Sequence, residues 1–540
     1  MSVATILDEI LPVDIGLPEK YTDFRQCQRE IVDFALYGYG QDKRFTAISA
    51  PVGSGKSLAA QAAGRLAGVK YVVLTYSNAL LDQNQRDFDG IIADVRGQAN
   101  YQCVDSTSRR RVTCDEGWEY GCQWVGMPMC THVKRVKAAQ RSQAVSTNYA
   151  YWIHSRAMNS RALQMPSGAS IDLLIADEAH KCFHALGSFL GVWVSKDDAN
   201  TYGLDLPTRD LGDKEWAQVG PGLAERLAAF DLNLGIAMEA LLARYDTRAE
   251  AYRDSDKFRA LDRKRQELSR LLSHVADGGW IWHLTKAGVK FDCVWPYRYA
   301  ERYLWSGVKK VVLISGTLRR KCLSLLGLDK DAYDYKEWPR QFPANLAPVY
   351  YYPVARMGAK STDQDFVLMR DGVDEWHRNR RDRKTIIHTP SYKLAERFQA
   401  ACECGRDMIL SKPGDAAVAE KRYREADSPA LLVAPSFMVG CDFPNEDCEL
   451  ILIPKIPFLS EGDPIVQARK SDPVWGNYEV AQTLQQACGR GARHEADRCE
   501  SVIMDKAYGW WKRLGSPHFS RWFAGSVRQI SEIPEPPPKM

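Results

Sequence analysis

Phe45-Thr46-Ala47-Ile48-Ser49-Ala50-Pro51-Val52-Gly53-Ser54-Gly55-Lys56-Ser57-Leu58-Ala59-Ala60 is the stretch from which the rest of the chain is read. An apolar strand-like run, a glycine-bearing loop and an alanine-rich helical run follow one another without a gap. Glycines let backbone N–H groups turn inward around an anion, and a helix N-terminus adds its partial positive charge. In loops of the form G-x-x-x-x-G-K-[ST] the lysine reaches the β/γ-phosphates and the hydroxyl binds Mg²⁺. Those roles fall here to Lys56 and Ser57. Ala50 stands where the first glycine would be, a position that accepts a small residue. Ala50, Pro51, Val52, Gly53, Ser54, Gly55, Lys56 and Ser57 are therefore expected to cradle a nucleoside triphosphate.

Downstream, the buried run Tyr71–Leu74 ends at Thr75-Tyr76-Ser77, and Leu80–Phe88 reads as the next helix. Strand, loop, helix and strand in that order predict a parallel sheet with crossover helices. The sheet texture resumes at Ala144–Tyr149 and again at Ile171–Ala176. The second of these runs straight into Asp177-Glu178-Ala179-His180. Carboxylates at the C-terminal end of such a strand lie in the crevice where open α/β sheets bind ligands. Adjacent acids there suit nucleotide hydrolysis, one holding Mg²⁺ and the other polarising the attacking water. Asp177 and Glu178 are the candidates, with Ser57 and Asp177 as the magnesium set.

Between Asp210 and Asp277 the pattern changes to long helical periodicity rich in Leu, Ala, Arg and Glu, which predicts an inserted helical domain. Strand texture returns at Lys309–Ile314, ending in Ser315-Gly316-Thr317-Leu318. A second α/β unit follows from Pro343, with strands at Thr385–His388, Ala430–Ala434 and Leu450–Ile453. Near its end stands Gln486-Ala487-Cys488-Gly489-Arg490-Gly491-Ala492-Arg493. On a helix Arg490 and Arg493 share a face, and paired guanidiniums suit a γ-phosphate whose charge must be stabilised during transfer. Val439-Gly440-Cys441-Asp442 follows a buried strand and reads as a loop through which this unit senses nucleotide.

The order of A-P-V-G-S-G-K-S, D-E-A-H, S-G-T-L, G-C-D and Q-A-C-G-R-G-A-R, preceded by Arg25 and Gln28, resembles a superfamily 2 helicase. The insert bearing Cys103, Cys114, Cys122 and Cys130 narrows the resemblance to the iron–sulfur XPD/DinG-like group. G-Q-A-N-Y-Q-C at 97–103, S-T-N-Y-A-Y at 146–151 and K-I-P-F at 455–458 agree with it. The departures are Gly316, where the group usually has Ala, and Ser49, where it often has Glu.

The resemblance implies an α/β fold of two RecA-like parallel-sheet motor domains, the first carrying an iron–sulfur insert and a helical arch insert. The expected segments are motor domain 1 at 1–96, 142–195 and 301–342, with the cluster insert at 97–141 and the arch-like insert at 196–300. Motor domain 2 is expected at 343–525, followed by an extended, mobile, proline-rich tail at 526–540. The resemblance also implies an ATP-dependent DNA helicase that moves 5′→3′ on single-stranded DNA and opens duplex, forked or R-loop substrates, with a part in DNA repair. Gln28 would read the adenine, Asp442 and Gln486 would complete the nucleotide site, and Thr75, Thr389 and Ser391 would meet the DNA backbone. ATP, Mg²⁺ and a [4Fe–4S] cluster are the implied cofactors. Single-stranded and forked DNA, and RNA–DNA hybrids, are the implied partners of a monomer. A nucleic-acid-binding ATPase that remodels protein–nucleic acid complexes with little unwinding is the alternative.

The four cysteines are spaced C-x10-C-x7-C-x7-C. Structural zinc sites favour pairs two to four residues apart, and four widely spaced thiolates can hold an iron–sulfur cluster. Spacing leaves cluster, zinc and unliganded thiols open. Arg109–Arg111, His132, Lys134, Arg135, Lys137 and Arg141, interleaved with Trp118, Tyr120 and Trp124, combine charge for phosphates with rings for bases. Cys402 and Cys404, far in sequence from Cys441 and Cys448, read as incidental, and no metal is expected there.

The 540 residues allow several domains at roughly 150 each. Seventy-two Lys and Arg against 68 Asp and Glu leave a net charge of only +4, so nucleic-acid contacts must rest on local clusters. Met1–Lys20 has four acids and no long apolar core, and no run approaches a membrane span of about 18 residues. An intracellular, soluble protein without a membrane partner is expected.

Overall fold

The computed structural model describes residues 9–104, 113–119, 122–124, 126–158, 163, 171–205, 219–248, 250–251, 255–433, 435, 443, 445–489, 491 and 497–537. Two seven-stranded sheets, parallel throughout, organise it. The first runs Tyr333–Glu337, Phe45–Ser49, Val308–Ser315, Ile171–Asp177, Tyr71–Thr75, Ala144–Asn148, Ala93–Asp94 from edge to edge. The second runs Met408–Leu410, Leu431–Val433, Thr385–Ile387, Leu450–Ile453, Glu500–Asp505, Val349–Ala355, Val527–Gln529. This is the expected pair of RecA-like sheets.

The strands read as unbroken apolar runs because helices cover both faces. Every residue of Phe45–Ser49 and of Tyr71–Thr75 is buried. One face of the first sheet packs on helices Gln26–Gly40 and Lys56–Leu66, through Ile31, Val32, Ala59, Ala62 and Ala63. The other packs on Tyr149–Ala157 and Cys182–Leu190, through Trp152, Ile153, Phe183 and Leu186. Register then fixes the chemistry. Ser49 pairs with Ser315, and Asp177 with Ile314. The loops after Phe45–Ser49, Val308–Ser315 and Ile171–Asp177 therefore emerge side by side at one edge.

The cysteine-bearing segment leaves the sheet after Ala93–Asp94 and returns through helix Thr131–Arg141 into Ala144–Asn148. Lys70 anchors that return. Its ammonium, almost wholly buried, donates to the carbonyls of Ala139, Gln140 and Ser142 at 2.7, 2.9 and 3.0 Å, capping a helix end whose carbonyls would otherwise lack donors.

The segment expected to be helical is mixed. Helices Val219–Leu242 and Asp256–Val275 lie against each other, as their periodicity predicts. Beside them an antiparallel sheet joins Val192–Ser195, Gly288–Cys293 and Trp280–Leu284. Trp280, Trp282, Val289 and Phe291 of this sheet share a core with Phe230 and Leu268 of the helices.

The C-terminal segment also differs from expectation. Val527–Gln529 is an edge strand of the second sheet. Beyond it Arg380 donates to the Pro534 carbonyl at 2.8 Å, and Arg383 to that of Pro537. The proline-rich stretch is extended, yet two buried arginines hold it down. No helix among the described residues is long and apolar enough to cross a membrane.

Candidate nucleotide site and cysteine cavity

The phosphate loop has the backbone its sequence calls for. Gly53 and Gly55 have φ of 81° and 74°, values an L side chain rarely adopts. Gly55 is also pressed by a neighbour, since a Cβ there would stand 1.9 Å from Gln28 Nε2. Ser54 Oγ donates to the Pro51 carbonyl at 2.8 Å, and Lys56 Nζ lies 3.4 Å from the same oxygen. Arg25 Nη1 donates to the Gly53 carbonyl at 2.8 Å, bracing the loop from helix Gln26–Gly40. Gln28 is buried against it, its Oε1 accepting the Arg25 N–H at 2.8 Å.

Asp177 ends its strand and accepts the Glu178 N–H on Oδ1 at 2.9 Å. Glu178, at φ 51°, is the only non-glycine described with a positive φ. Such a backbone persists only where its surroundings over-determine it, and it marks functional sites. Here the surroundings are Ser315 and His180. Ser315 Oγ donates to Glu178 Oε2 at 2.9 Å, and His180 Nδ1 lies 2.7 Å from Ser315 Oγ and 3.2 Å from Glu178 Oε2. Burial pushes the Glu178 carboxyl up, but the His180 and Ser315 contacts and the Lys56 charge outweigh it and hold the group below the usual carboxylate range. Burial lowers the His180 pKa, so the ring is neutral at physiological pH. The acid is therefore an ionised, fixed acceptor beside the phosphate loop. The Ser315 contact was not legible in the sequence, because it depends on strand register.

The second sheet closes the site from the opposite side. Gln486 Nε2 donates to Thr317 Oγ1 at 3.0 Å. Trp522 Nε1 donates to the Gly316 carbonyl at 3.0 Å, and the Arg521 N–H donates to Glu337 Oε1 at 2.8 Å. Farther along, Arg469 enters a cage of Phe183, Trp295 and Trp475, with ring centroids 4.8, 6.0 and 5.1 Å away, and donates to the Val294 carbonyl at 2.8 Å. Helix Trp475–Cys488 runs into the cleft, and a Cβ at Gly489 would stand 3.5 Å from Val52 Cγ2 of the phosphate loop. Arg490, Arg493 and Asp442 lie outside the described residues. Of the expected DNA contacts, Thr75 and Thr389 are 0% exposed and only Ser391 is at the surface, where it caps helix Tyr392–Ala401.

The four cysteines of the insert come together. Cys103, Cys114, Cys122 and Cys130 line one cavity of about 140 Å³ with Gln98, Val104, Gly126, His132 and Val133. The loop from Cys103 closes through an isolated bridge between Gln102 and Thr113, and Gly117 lets Cys103 approach, since a Cβ there would stand 2.5 Å from its Sγ. Among the described residues, no three of these four sulfurs fall mutually within 4.8 Å. A single zinc ion, with ligands about 2.3 Å from the metal, draws its sulfurs closer than that. Four thiols converging on one cavity offer a donor set that could hold a polynuclear cluster or, drawn closer together, a zinc ion. Lys134, Arg135, Lys137 and Arg141 of the adjoining helix are exposed, while Arg109–Arg111, Tyr120 and the Trp118 side chain lie outside the described residues.

Two RecA-like sheets, with the glycine-bearing loop and the Asp177–Glu178 pair on one and a closing helix from the other, suit a nucleic-acid-dependent ATPase of the helicase type. Comparison with known proteins agrees. A helicase C-terminal domain family model matches residues 377–526, and the model of the type III restriction enzyme, res subunit, matches residues 21–189. A solved XPD helicase aligns at 14% identity over 94% of this chain and 99% of its own, with a TM-score of 0.63. S. tokodaii Xpd4 aligns at 14% identity over 94% and 100%, with a TM-score of 0.58. No curated protein sequence matches. The chain carries a helicase C-terminal domain, and its fold as a whole is shared with the solved XPD helicases.

Proposed function

We propose that this chain is an ATP-dependent DNA helicase that moves 5′→3′ on single-stranded DNA and parts duplex, forked or R-loop substrates inside the cell. Lys56 binds the β/γ-phosphates, Ser57 and Asp177 hold Mg²⁺, and Glu178 takes the attacking water's proton. Arg490 and Arg493 reach the γ-phosphate from the second sheet. Gln28 lies at the adenine side, and Asp442 and Gln486 report nucleotide state to that sheet.

The observation that carries this reading is the approach of Gly489 to Val52, which brings the residue before Arg490 against the phosphate loop. An arginine supplied across a cleft neutralises charge only in the transition state, so hydrolysis is tied to closure of the two sheets. Repeated closure and opening moves the chain along a strand. Ser391 contributes a backbone contact, with Thr75 and Thr389 exposed to the strand only on rearrangement. A [4Fe–4S] cluster held by Cys103, Cys114, Cys122 and Cys130 would supply rigidity to the insert rather than redox chemistry. The exposed basic helix after Cys130 offers the phosphate contacts that lead DNA to it.

Lys56→Ala should abolish ATP hydrolysis stimulated by single-stranded DNA, and full activity in that variant would overturn the nucleotide assignment. Strand displacement on forks with a single 5′ or 3′ tail tests polarity and substrate. Unwinding only from a 3′ tail would reverse the direction, and stimulated hydrolysis without displacement would favour remodelling of protein–nucleic acid complexes.

A further inference from the structure

Away from the cleft, three side chains of the second sheet's flank converge without a role in the motor. Asp374 lies on the buried face of helix Asp363–Asn379, only 3% exposed. The helix packs into a core that includes Met369, Val373, Phe398 and Met408. A carboxylate in such a setting is costly unless its charge is met. Its two oxygens accept the backbone N–H groups of Glu403 and Cys404, each at 3.0 Å. Those bonds clamp the turn Cys402-Glu403-Cys404-Gly405, which the Gly405 N–H closes onto the Cys402 carbonyl at 3.1 Å. Only glycine fits there, because a Cβ would stand 2.0 Å from the Gln399 carbonyl oxygen.

The clamp turns both sulfurs toward the acid. Ligand atoms of Asp374, Cys402 and Cys404 all lie within 4.8 Å of one another, the one such group among the described residues. One turn along the same helix, His377 is 4% exposed, and neither ring nitrogen has a hydrogen-bond partner. Asp407 Oδ2, 3.6 Å from its Nε2, is an ion-pair neighbour outside hydrogen-bonding range. Packing accounts for one buried cysteine. It does not account for a C-x-C turn built around a buried carboxylate, with a solvent-shielded imidazole nearby. The two backbone donors leave further lone pairs on the carboxylate, and thiols are weak donors to them, whereas two thiolates, a carboxylate and a neutral imidazole make a tetrahedral set for a thiophilic divalent ion. Magnesium, which keeps oxygen ligands and water, does not suit it.

We propose that Asp374, Cys402 and Cys404, with His377 as fourth donor, form a second metal site of the zinc class, separate from the cysteine cavity of the insert. The site would pin helix Asp363–Asn379 to the turn that follows helix Tyr392–Ala401, and so fix the flank of the second sheet. Sequence alone suggests no metal here, because Asp374 and His377 meet the C-x-C turn only through the fold.

The test uses the full-length chain, purified reduced and loaded with Zn²⁺ or Co²⁺. The intact protein should hold one more equivalent of zinc than Cys402→Ser, and Co²⁺ should give a thiolate charge-transfer band that this variant lacks, with iron content the same in both. His377→Gln should weaken Zn²⁺ binding by about tenfold or more. Equal zinc in parent and Cys402→Ser would overturn the site. An independent measurement needs no substitution. Zn²⁺ should protect Cys402 and Cys404 together from alkylation, and chelation should expose both. Labelling that ignores Zn²⁺, or a Cys402–Cys404 disulfide in metal-free protein purified without reductant and refractory to loading, would equally overturn it.

Discussion

The indole N–H of Trp522 donates to the carbonyl of Gly316 at 3.0 Å, joining the C-terminal part of the second sheet's domain to the loop after Val308–Ser315. That loop also holds Ser315, whose hydroxyl fixes Glu178. The adjacent residues Ser315 and Gly316 thus touch the Glu178 carboxylate on one side and the opposite domain on the other. With Gln486 on Thr317, they would give the proposed closing motion a direct path to Glu178.

Trp522→Phe keeps an aromatic ring, though a smaller one, and removes the donor. A hydrogen bond of this kind contributes about 0.5–1.5 kcal/mol net, so the closed state should become roughly two- to tenfold less populated. Hydrolysis stimulated by single-stranded nucleic acid should fall by that factor in steady-state assays, with ATP affinity little changed. Gly316→Ala is the control. Its methyl would stand 3.5 Å from the Ala50 carbonyl oxygen, an ordinary contact, and the carbonyl that receives Trp522 remains. An unchanged stimulated rate in Trp522→Phe would show that the contact does not couple the domains.

Glu178→Gln should retain nucleotide binding and lose about two to four orders of magnitude in turnover, the usual contribution of a general base. The pH profile adds a sharper test. The carboxyl is held below its ordinary value, so it stays ionised as pH falls through the normal carboxylate range and protonates only below it. Ser315→Ala removes a donor to the ionised form. The Glu178 pKa should rise, and the acidic limb of turnover should move to higher pH. Turnover in mildly acidic buffer should then fall more than turnover at neutral pH. Equal losses at both would show that Ser315 does not tune this acid.

What was legible in the sequence follows from how local each feature is. Phe45–Ser49 and Ile171–Asp177 are buried on both faces, so they stand out as apolar runs, and the motifs sit at their ends. The hairpin Trp280–Leu284/Gly288–Cys293 was missed. Its connection, Thr285-Lys286-Ala287, lacks the Asn-Gly or Asp-Gly signal of tight turns, and helical periodicity flanks it. The proline-rich C-terminus read as loose because its partners, Arg380 and Arg383, are distant in sequence. Cys402 and Cys404 read as incidental for the same reason. Tertiary contacts placed Asp374 beside them, as they placed Trp522 on Gly316.

Cys103→Ser tests the cluster in the insert. The sulfur is buried in the shared cavity, and serine is a poor ligand for iron. The variant should lose the brown colour and most of the iron of the anaerobically purified protein. The two large sheets do not rely on this segment for their cores, so far-UV circular dichroism and ATP binding should persist while strand displacement is lost. Colourless parent protein carrying stoichiometric zinc in place of iron would replace the cluster with zinc.

Arg380 and Glu500 give the clearest stability prediction. They are 0% and 1% exposed and form two parallel bonds of 2.9 and 3.0 Å. Arg380 also holds the Pro534 carbonyl. Removing one partner of a buried pair leaves the other charge without compensation, a loss of about 3–5 kcal/mol. Arg380→Ala should therefore lower the urea midpoint of the second domain by that equivalent and free the C-terminal segment for proteolysis. Replacing both partners, as Arg380→Met with Glu500→Leu, removes the pair but takes from the buried Arg383 an acid 3.8 Å away, so it should recover only part of the midpoint. It should not restore protection of the C-terminal segment, which depends on the guanidinium's bond to Pro534. If the double variant protects the segment as well as the parent does, edge strand Val527–Gln529 and the Arg383 bond to Pro537 suffice to hold it in place.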